Sequence, residues 1–310
     1  MGRSSRALSA RVREGLVSRP VRVDKSAAHA TNSRVPFRPW LALLAATACA
    51  GTESTLITTL SDAGTDASTP AGGSGASTPV PPGTSWQIQL SGELDDSYDV
   101  DLYDVDLHNN SEADFAALHA AGRFVACYFS AGTLEAWRDD ADAVPDSVIG
   151  NPHPAYPSES WLDVRDGAVR ELMEARIELA RAKGCDAIQP ANLALSAVDS
   201  GFAIGESETI AYAEFLANAA HTRGMQVAWS DEPGLLSGIE QSFDWGIAIQ
   251  CIEFDSCAPW LGFADAGKPV FMVEIGDEAD IDRLCPAAAS LRFPLVIKDS
   301  NYTAFRVGCP

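Results

Sequence analysis

The chain has 310 residues, 46% of them hydrophobic and 8% aromatic, a globular composition with enough apolar material for a large core. Its 22 Lys and Arg face 43 Asp and Glu, giving a net charge of −21 and a pI near 4.4. Binding a phosphate backbone needs clustered cations, so this balance argues against a nucleic-acid partner.

The charge is unevenly spread. Nine of the cationic residues precede Leu41, opposed there only by Glu14 and Asp24, which leaves a net of −28 on the remainder. From Arg38 the sequence RPWLALLAATACAG gives a basic flank, an apolar run from Trp40 to Ala48, and small residues before Cys49, the order of a bacterial secretory signal. The run is shorter than the roughly 20 apolar residues that span a bilayer. Its Ala46-Thr47-Ala48-Cys49 ending resembles a lipoprotein signal, with Cys49 as the lipidated residue, although Ala46 stands where such signals prefer Leu. Lipidation and plain cleavage nearby both stay open. Residues 1–34 are long for a leader; a start codon assigned too early and a basic arm without fixed structure each account for them. Residues 1–50 are thus a basic leader and signal, and the protein is expected to be secreted or held in the cell envelope as a lipoprotein.

Residues 51–84 are rich in Ser, Thr, Gly and Pro and carry little aliphatic material after Leu60, the composition of a tether. The folded domain is expected over 85–310, close in length to the roughly 250 residues of a (β/α)8 barrel. Eight β-rich runs occur, at Trp86–Leu90, Asp99–Leu107, Arg123–Ser130, Ala187–Pro190, Gln226–Ser230, Phe243–Cys251, Pro269–Glu274 and Pro294–Lys298. From the second onward they alternate with helical-period segments such as Ala168–Lys183 and Glu206–Arg223. Strand and helix in series predict an α/β fold with a parallel sheet, a TIM barrel preceded by the signal and linker.

Six cysteines remain beyond Cys49, an even count that suits an oxidising compartment. They allow 15 pairings; Cys251 with Cys257 and Cys285 with Cys309 each close a local segment. A zinc site is the rival use of these thiols, but no C-x-x-C pair or His at ligand spacing supports it. His108, His119, His153 and His221 are scattered and read as surface or loop residues. No nucleotide, flavin or metalloprotease motif is present, and no cofactor is expected.

In DVDLYDVDL, alternation places Val100, Leu102, Asp104 and Asp106 on one face, with Val100 and Leu102 inside the barrel and both aspartates at its C-terminal mouth. A calcium loop would need a glycine and a terminal Glu that are missing; a merely solvated acidic strand end is the plainer alternative. CYFSAG brings Tyr128 and Ser130 to the mouth, and WLDVR sets Trp161, Asp163 and Arg165 within five residues. Aromatic faces stack on sugar C–H surfaces while Asp and Arg bind hydroxyls, a mixture that suits a polysaccharide. Trp161 reads equally as core, and Asp163 with Arg165 as an internal ion pair.

These motifs resemble glycoside hydrolase family 114, barrels that include endo-α-1,4-polygalactosaminidases. The likeness covers the whole domain: WQIQLSG (Trp86–Gly92), YDVDL (Tyr103–Leu107), CYFSAG, WLDVR, DWGIAIQC (Asp244–Cys251), FDSC (Phe254–Cys257), and the endings at Glu274 and Asp299. It implies a sugar cleft at the strand C-termini and two carboxyl groups flanking the scissile bond. Here the sequence departs from the resemblance. The E-P-D-N of the fourth strand becomes Gln189-Pro190-Ala191-Asn192, and the N-E-Q-C of the sixth becomes Ala248-Ile249-Gln250-Cys251, so the expected acids fall on Ala191 and Ile249. The K-N-D ending of the fifth strand becomes Ser230-Asp231-Glu232.

Neither Ala nor Ile can move a proton, and losing a general acid alone removes roughly 10² to 10⁴ in rate. The expectation is a barrel that binds galactosamine-containing polysaccharide without efficient hydrolysis, in a cleft lined by Asp104, Asp106, Tyr128, Asp163, Arg165, Asn192 and Glu274. The competing expectation is an active glycosidase with relocated carboxylates, Asp231 or Glu232 with Glu253 or Glu274. The acidity suits a partly cationic amino-sugar polymer, though it equally suits solubility. A monomer is expected, touching a membrane only through a lipid on Cys49.

Overall fold

The structure, a computed structural model, describes residues 78–230 and 232–309. The leader, the signal, Cys49, most of the tether and Asp231 lie outside the described residues.

Eight parallel strands follow one another around a sheet. They are β1 (Trp86–Gln89), β2 (Leu102–Asp106), β3 (Phe124–Ser130), β7 (Ala187–Ala191), β8 (Gln226–Trp229), β9 (Trp245–Ile249), β10 (Val270–Ile275) and β11 (Leu295–Lys298). They occupy the eight runs expected from sequence, each within a few residues. The crossovers carry α1 (Glu112–Ala120), α2 (Gly167–Lys183), α3 (Glu206–His221), α4 (Leu236–Ile239), α5 (Ala258–Asp265) and α6 (Ile281–Leu291). Between β1 and β2 the chain is loop, as the late onset of helical periodicity implied. Among the described residues, no helix is long and apolar enough to cross a membrane.

Alternation along each strand sends one set of side chains inward, and their sizes are partitioned. Trp86, Trp245 and Phe271, on β1, β9 and β10, fill one side of the barrel, with ring centroids of 4.9 and 5.3 Å from Phe271 to the two indoles. Ala126, Ala187 and Ala228, on β3, β7 and β8, face them. Large against small is how a narrow barrel reaches interior packing density. Leu102 joins this inner set, whereas Val100, expected beside it, packs in the outer layer between sheet and helices. Val100 precedes the regular strand, so the alternation does not reach it.

The seam between β1 and β11 is filled by the C-terminal segment. Its short strand β12 (Val307–Gly308) runs antiparallel to β11. Arg306 Nε donates to Trp86 O at 3.1 Å, Gln87 Nε2 to Ala304 O at 3.2 Å, and Leu90 N to Tyr302 O at 2.8 Å. Lys298 Nζ, inside the seam, donates to Thr303 O and Gln87 Oε1. Burial lowers its pKa to about 8.

Under the barrel, Thr78 O accepts from Gln226 Nε2, and Val80 is buried with the inner set. The folded domain therefore begins before Ser85, because one apolar residue in a Pro-rich stretch plugs the lower end. His119 and His221 pair with Asp186 and Asp244 at 2.8 and 2.9 Å. Each aspartate also accepts a strand N–H, from Val125 and Val227 respectively. These histidines tie helix ends to strand starts on the face opposite the cleft.

All six described cysteines are paired: Cys127–Cys185, Cys251–Cys257 and Cys285–Cys309. The last fastens α6 to the closing segment. Replacing Cys285 and Cys309 by Ala is expected to cost about 3 kcal/mol. A thermal melt should then fall by roughly 6–12 °C for a domain of this size.

Candidate functional site

A cleft of about 670 Å³ opens at the C-terminal ends of the strands. Its floor includes Gln189 and Ala191 of β7, Ser230 after β8 and Ile249 of β9. One wall comes from Leu90, Ser91 and residues 300–303 beside the seam. The opposite wall carries Asp106, Glu135, Trp137, Arg138, Tyr156 and Glu159. Another cavity, of about 650 Å³, lies by α6 and the seam, with a mainly apolar lining that includes none of the candidate site residues.

Most of the opposite wall is an excursion between β3 and α2. Its strands β4 (Thr133–Glu135), β5 (Ile149–Pro152) and β6 (Glu159–Leu162) form an antiparallel sheet in the order β4-β6-β5. Glu135 lies directly opposite Glu159 in the β4–β6 pairing. The excursion leaves the barrel at Gly132, where an added Cβ would come within 1.7 Å of Asn192 O. Only glycine permits this approach, in which Ala131 N and Gly132 N both donate to Ala191 O.

Arg138 joins the excursion to the barrel. Its Nη1 and Nη2 donate to Asp106 at 3.2 and 2.7 Å, its Nε and Nη2 to Glu135 at 2.9 Å each, and its Nη1 to Asn109 Oδ1 at 3.1 Å. The side chain is 6% exposed. Burial alone would lower the guanidinium pKa, but hydrogen bonds to Glu135 and Asp106 raise it above its ordinary value. Asp106 also accepts from His108 N and Asn109 N. Asp106 and Glu135 are therefore committed to holding this guanidinium.

Glu159 differs. It accepts from Thr133 Oγ1 at 2.6 Å and, at 3.4 Å, from Asn192 Nδ2, and makes no salt bridge among the described residues. Burial pushes its carboxyl up, the Thr133 hydrogen bond opposes this, and the Glu135 charge adds to it. Above it, Trp137 and Tyr156 are 54% and 51% exposed. Tyr156 stacks on His153 at 5.0 Å, and His153 lies 4.9 Å from the ring of Trp161. Trp161 is buried, so it backs the aromatic surface from the core.

Of the residues expected in the cleft, Asp106, Tyr128 and Asn192 line it. Asn192 Nδ2 also binds Ser130 Oγ and Thr133 Oγ1. Asp104 sits lower, fully buried, because two residues of alternation set it beneath Asp106. Asp163 and Arg165 pair with each other at 2.7 Å in the loop entering α2, and Arg165 reaches Ala203 O. The Arg165 hydrogen bond holds the Asp163 carboxyl below its usual range. Glu274 follows the inward Val273 and so faces outward, accepting from Ile252 N at 2.8 Å. Glu232 caps its own turn at Gly234 N, and exposed Glu253 lies 3.7 Å from Arg283. Asp104, Asp163, Arg165, Glu232, Glu253 and Glu274 are thus all outside the cleft lining, whereas Ala191 and Ile249 are in it.

Sequence reasoning missed Glu135, Trp137, Arg138, Tyr156 and Glu159. The available signal was length. Almost thirty residues separate CYFSAG from WLDVR, far more than a barrel loop needs, and such insertions usually carry function. Among the described residues, no group of three or more His, Cys, Asp or Glu could hold a metal ion.

The profile described as Glycoside-hydrolase family GH114 matches residues 67–310. The chain belongs to this family. Ega3 of Aspergillus fumigatus, solved in complex with galactosamine, is 34% identical over 76% of this chain and 98% of its own, with a TM-score of 0.70. The glycoside hydrolase domain of PelA from Pseudomonas aeruginosa shares the fold at 15% identity, over 73% of this chain and 98% of its own, with a TM-score of 0.57. No protein with a curated description matches. The barrel fold is thus shared with these relatives.

Two outcomes follow from the wall. Arg138→Met leaves two buried carboxylates without their cation and is expected to cost about 3–5 kcal/mol in urea denaturation. For Glu159, a raised folded pKa means the folded chain holds this proton more tightly than the unfolded one. Its contribution is therefore fullest below the ordinary value of 4.5 and is lost as pH rises through the folded value. Glu159→Gln should match the parent near pH ~4 and exceed it near pH ~7, read by paired melts across that window.

Proposed function

We propose that this GH114 barrel binds a galactosamine-containing polysaccharide along the cleft and does not cleave it efficiently. The observation that carries the reading is the lining itself. Ala191 and Ile249 stand at the ends of β7 and β9, where glycosidic hydrolysis needs opposed carboxyl groups. The carboxylates that do line the cleft, Asp106, Glu135 and Glu159, belong to one wall, and the first two are tied to Arg138. The relocated pairs Glu232 with Glu253 or Glu274 gain no support, since none of the three lines the cleft.

The sugar class draws support from the likeness to Ega3, solved with galactosamine. Trp137 and Tyr156 offer exposed faces for a pyranose, and Glu159, which makes no salt bridge among the described residues, suits a protonated 2-amino group. The excess of acid over base would raise the local concentration of a cationic polymer, and added salt should weaken binding. We place the protein outside the cytoplasm, secreted or lipid-anchored through Cys49, where three disulfides would persist, and acting as a monomer.

The test incubates purified protein with partially deacetylated poly-galactosamine and scores both retention and new reducing ends. Retention that weakens with salt, without new reducing ends, is expected. Release of reducing ends that Glu159→Gln abolishes would instead make the protein a glycosidase using that residue. Ala191→Asp combined with Ile249→Glu restores a carboxyl at each strand end and is expected to produce reducing ends above the parent's level.

A further inference from the structure

The loop joining β5 to β6, residues 153–158, presents Tyr156 to the cleft, and one imidazole holds its shape. Pro154 and Pro157 have no N–H to give. Ala155 N and Tyr156 N both donate to His153 Nδ1, at 3.2 and 3.1 Å. The base of the loop is closed by His153 N to Glu159 O and Glu159 N to Tyr156 O, each at 2.8 Å. The His153 ring also stacks on Tyr156 at 5.0 Å and lies 4.9 Å from the buried Trp161. His153 thus meets Tyr156 twice, through the main chain and through the ring.

A nitrogen that accepts two N–H groups carries no proton of its own, so this ring is neutral with its hydrogen on Nε2. Burial acts in the same direction, lowering the His153 pKa from its ordinary 6.5. Charge around the ring is sparse, and among the described residues no salt bridge involves it. Glu159 turns its carboxyl to Thr133, Glu135 is held by Arg138, and Asp199, beside β5, accepts from Asn151 Nδ2. A proton on Nδ1 would turn the shared acceptor into a donor facing two donors.

We propose that His153 is the positioning residue for Tyr156, and that its protonation releases this aromatic face, so that the cleft loosens its hold on the polymer in mild acid. The inference rests on the polysaccharide reading and adds the regulation of that site. His153 touches no sugar and acts through Tyr156. Because its folded pKa lies below 6.5, the contribution of the neutral ring is complete above 6.5 and is lost as pH falls through the folded value.

The test titrates a fully deacetylated galactosamine oligomer onto five proteins at pH ~7 and pH ~5: the parent, His153→Ala, His153→Asn, Tyr156→Ala, and His153→Ala combined with Tyr156→Ala. Glu159 and the sugar amines titrate in all five, so differences between the proteins report His153. His153→Ala is expected to bind about fivefold more weakly than the parent at pH ~7 and equally at pH ~5, the worth of about one hydrogen bond. His153→Asn, whose Oδ1 can accept the same N–H groups and does not titrate, should recover most of that loss at both pH values. The double variant should bind no more weakly than Tyr156→Ala alone. In the free parent, hydrogen-exchange protection of the Ala155 and Tyr156 amides should fall about fivefold between pH ~7 and pH ~5, and in His153→Asn it should hold. A His153→Ala deficit that persists at pH ~5, an acid loss that His153→Asn shares in full with the parent, or additive losses in the double variant would overturn the inference. A parent that binds at neither pH removes the polysaccharide reading; amide protection then decides the role of His153 by itself, and protection that does not change with pH overturns it.

Discussion

All five N–H donors of the buried Arg138 guanidinium are spent on Asp106, Glu135 and Asn109, and this cation ties the antiparallel excursion to the end of β2. Asp106 ends a barrel strand and Glu135 ends the first strand of the excursion, so the guanidinium clamps two sheets that share no ladder. A buried ion pair of this kind contributes more to geometry than to net stability, since desolvation offsets much of the attraction. Its consequence is a wall held at a fixed place over the strand ends. That wall presents Trp137 and Tyr156 outward and Glu159 toward the cleft.

The barrel was largely legible in the sequence because its strands are apolar runs of period two separated by helical-period segments. The excursion was not, since β4, β5 and β6 have only three or four residues each and their pairing is non-local, Thr133 meeting Trp161. Short strands carry too few alternations to register, and the wall residues come from that stretch. Glu274 was misplaced although the information was present: Phe271 and Val273 face inward, so their neighbour faces out. Asp163 and Arg165, two residues apart, satisfied each other locally. Asp104 lay on the expected face, but one layer below the mouth.

The ends of β7 and β9 share an unusual backbone feature. Asn192 and Gln250, the residues directly after Ala191 and Ile249, both hold positive φ values, 62° and 50°. Such backbone is costly for non-glycine residues and persists where surrounding structure enforces it. The close approach of Gly132 to Asn192 O enforces the first, and the Cys251–Cys257 bridge follows the second at once. Both turns therefore stand beside side chains, Ala191 and Ile249, that cannot transfer protons. The floor of the cleft includes Gln189 and Ser230, and the carboxylates of its lining, Asp106, Glu135 and Glu159, belong to the wall.

A cleft that holds an amino-sugar chain intact has to bind it and leave it uncut. Proton NMR of a galactosamine oligomer mixed with stoichiometric protein reads both in one sample. Broadened sugar resonances are expected, with no reducing-end anomeric signals growing in beyond those of the oligomer alone. Steady growth of new reducing-end signals would contradict it, as would resonances that stay sharp.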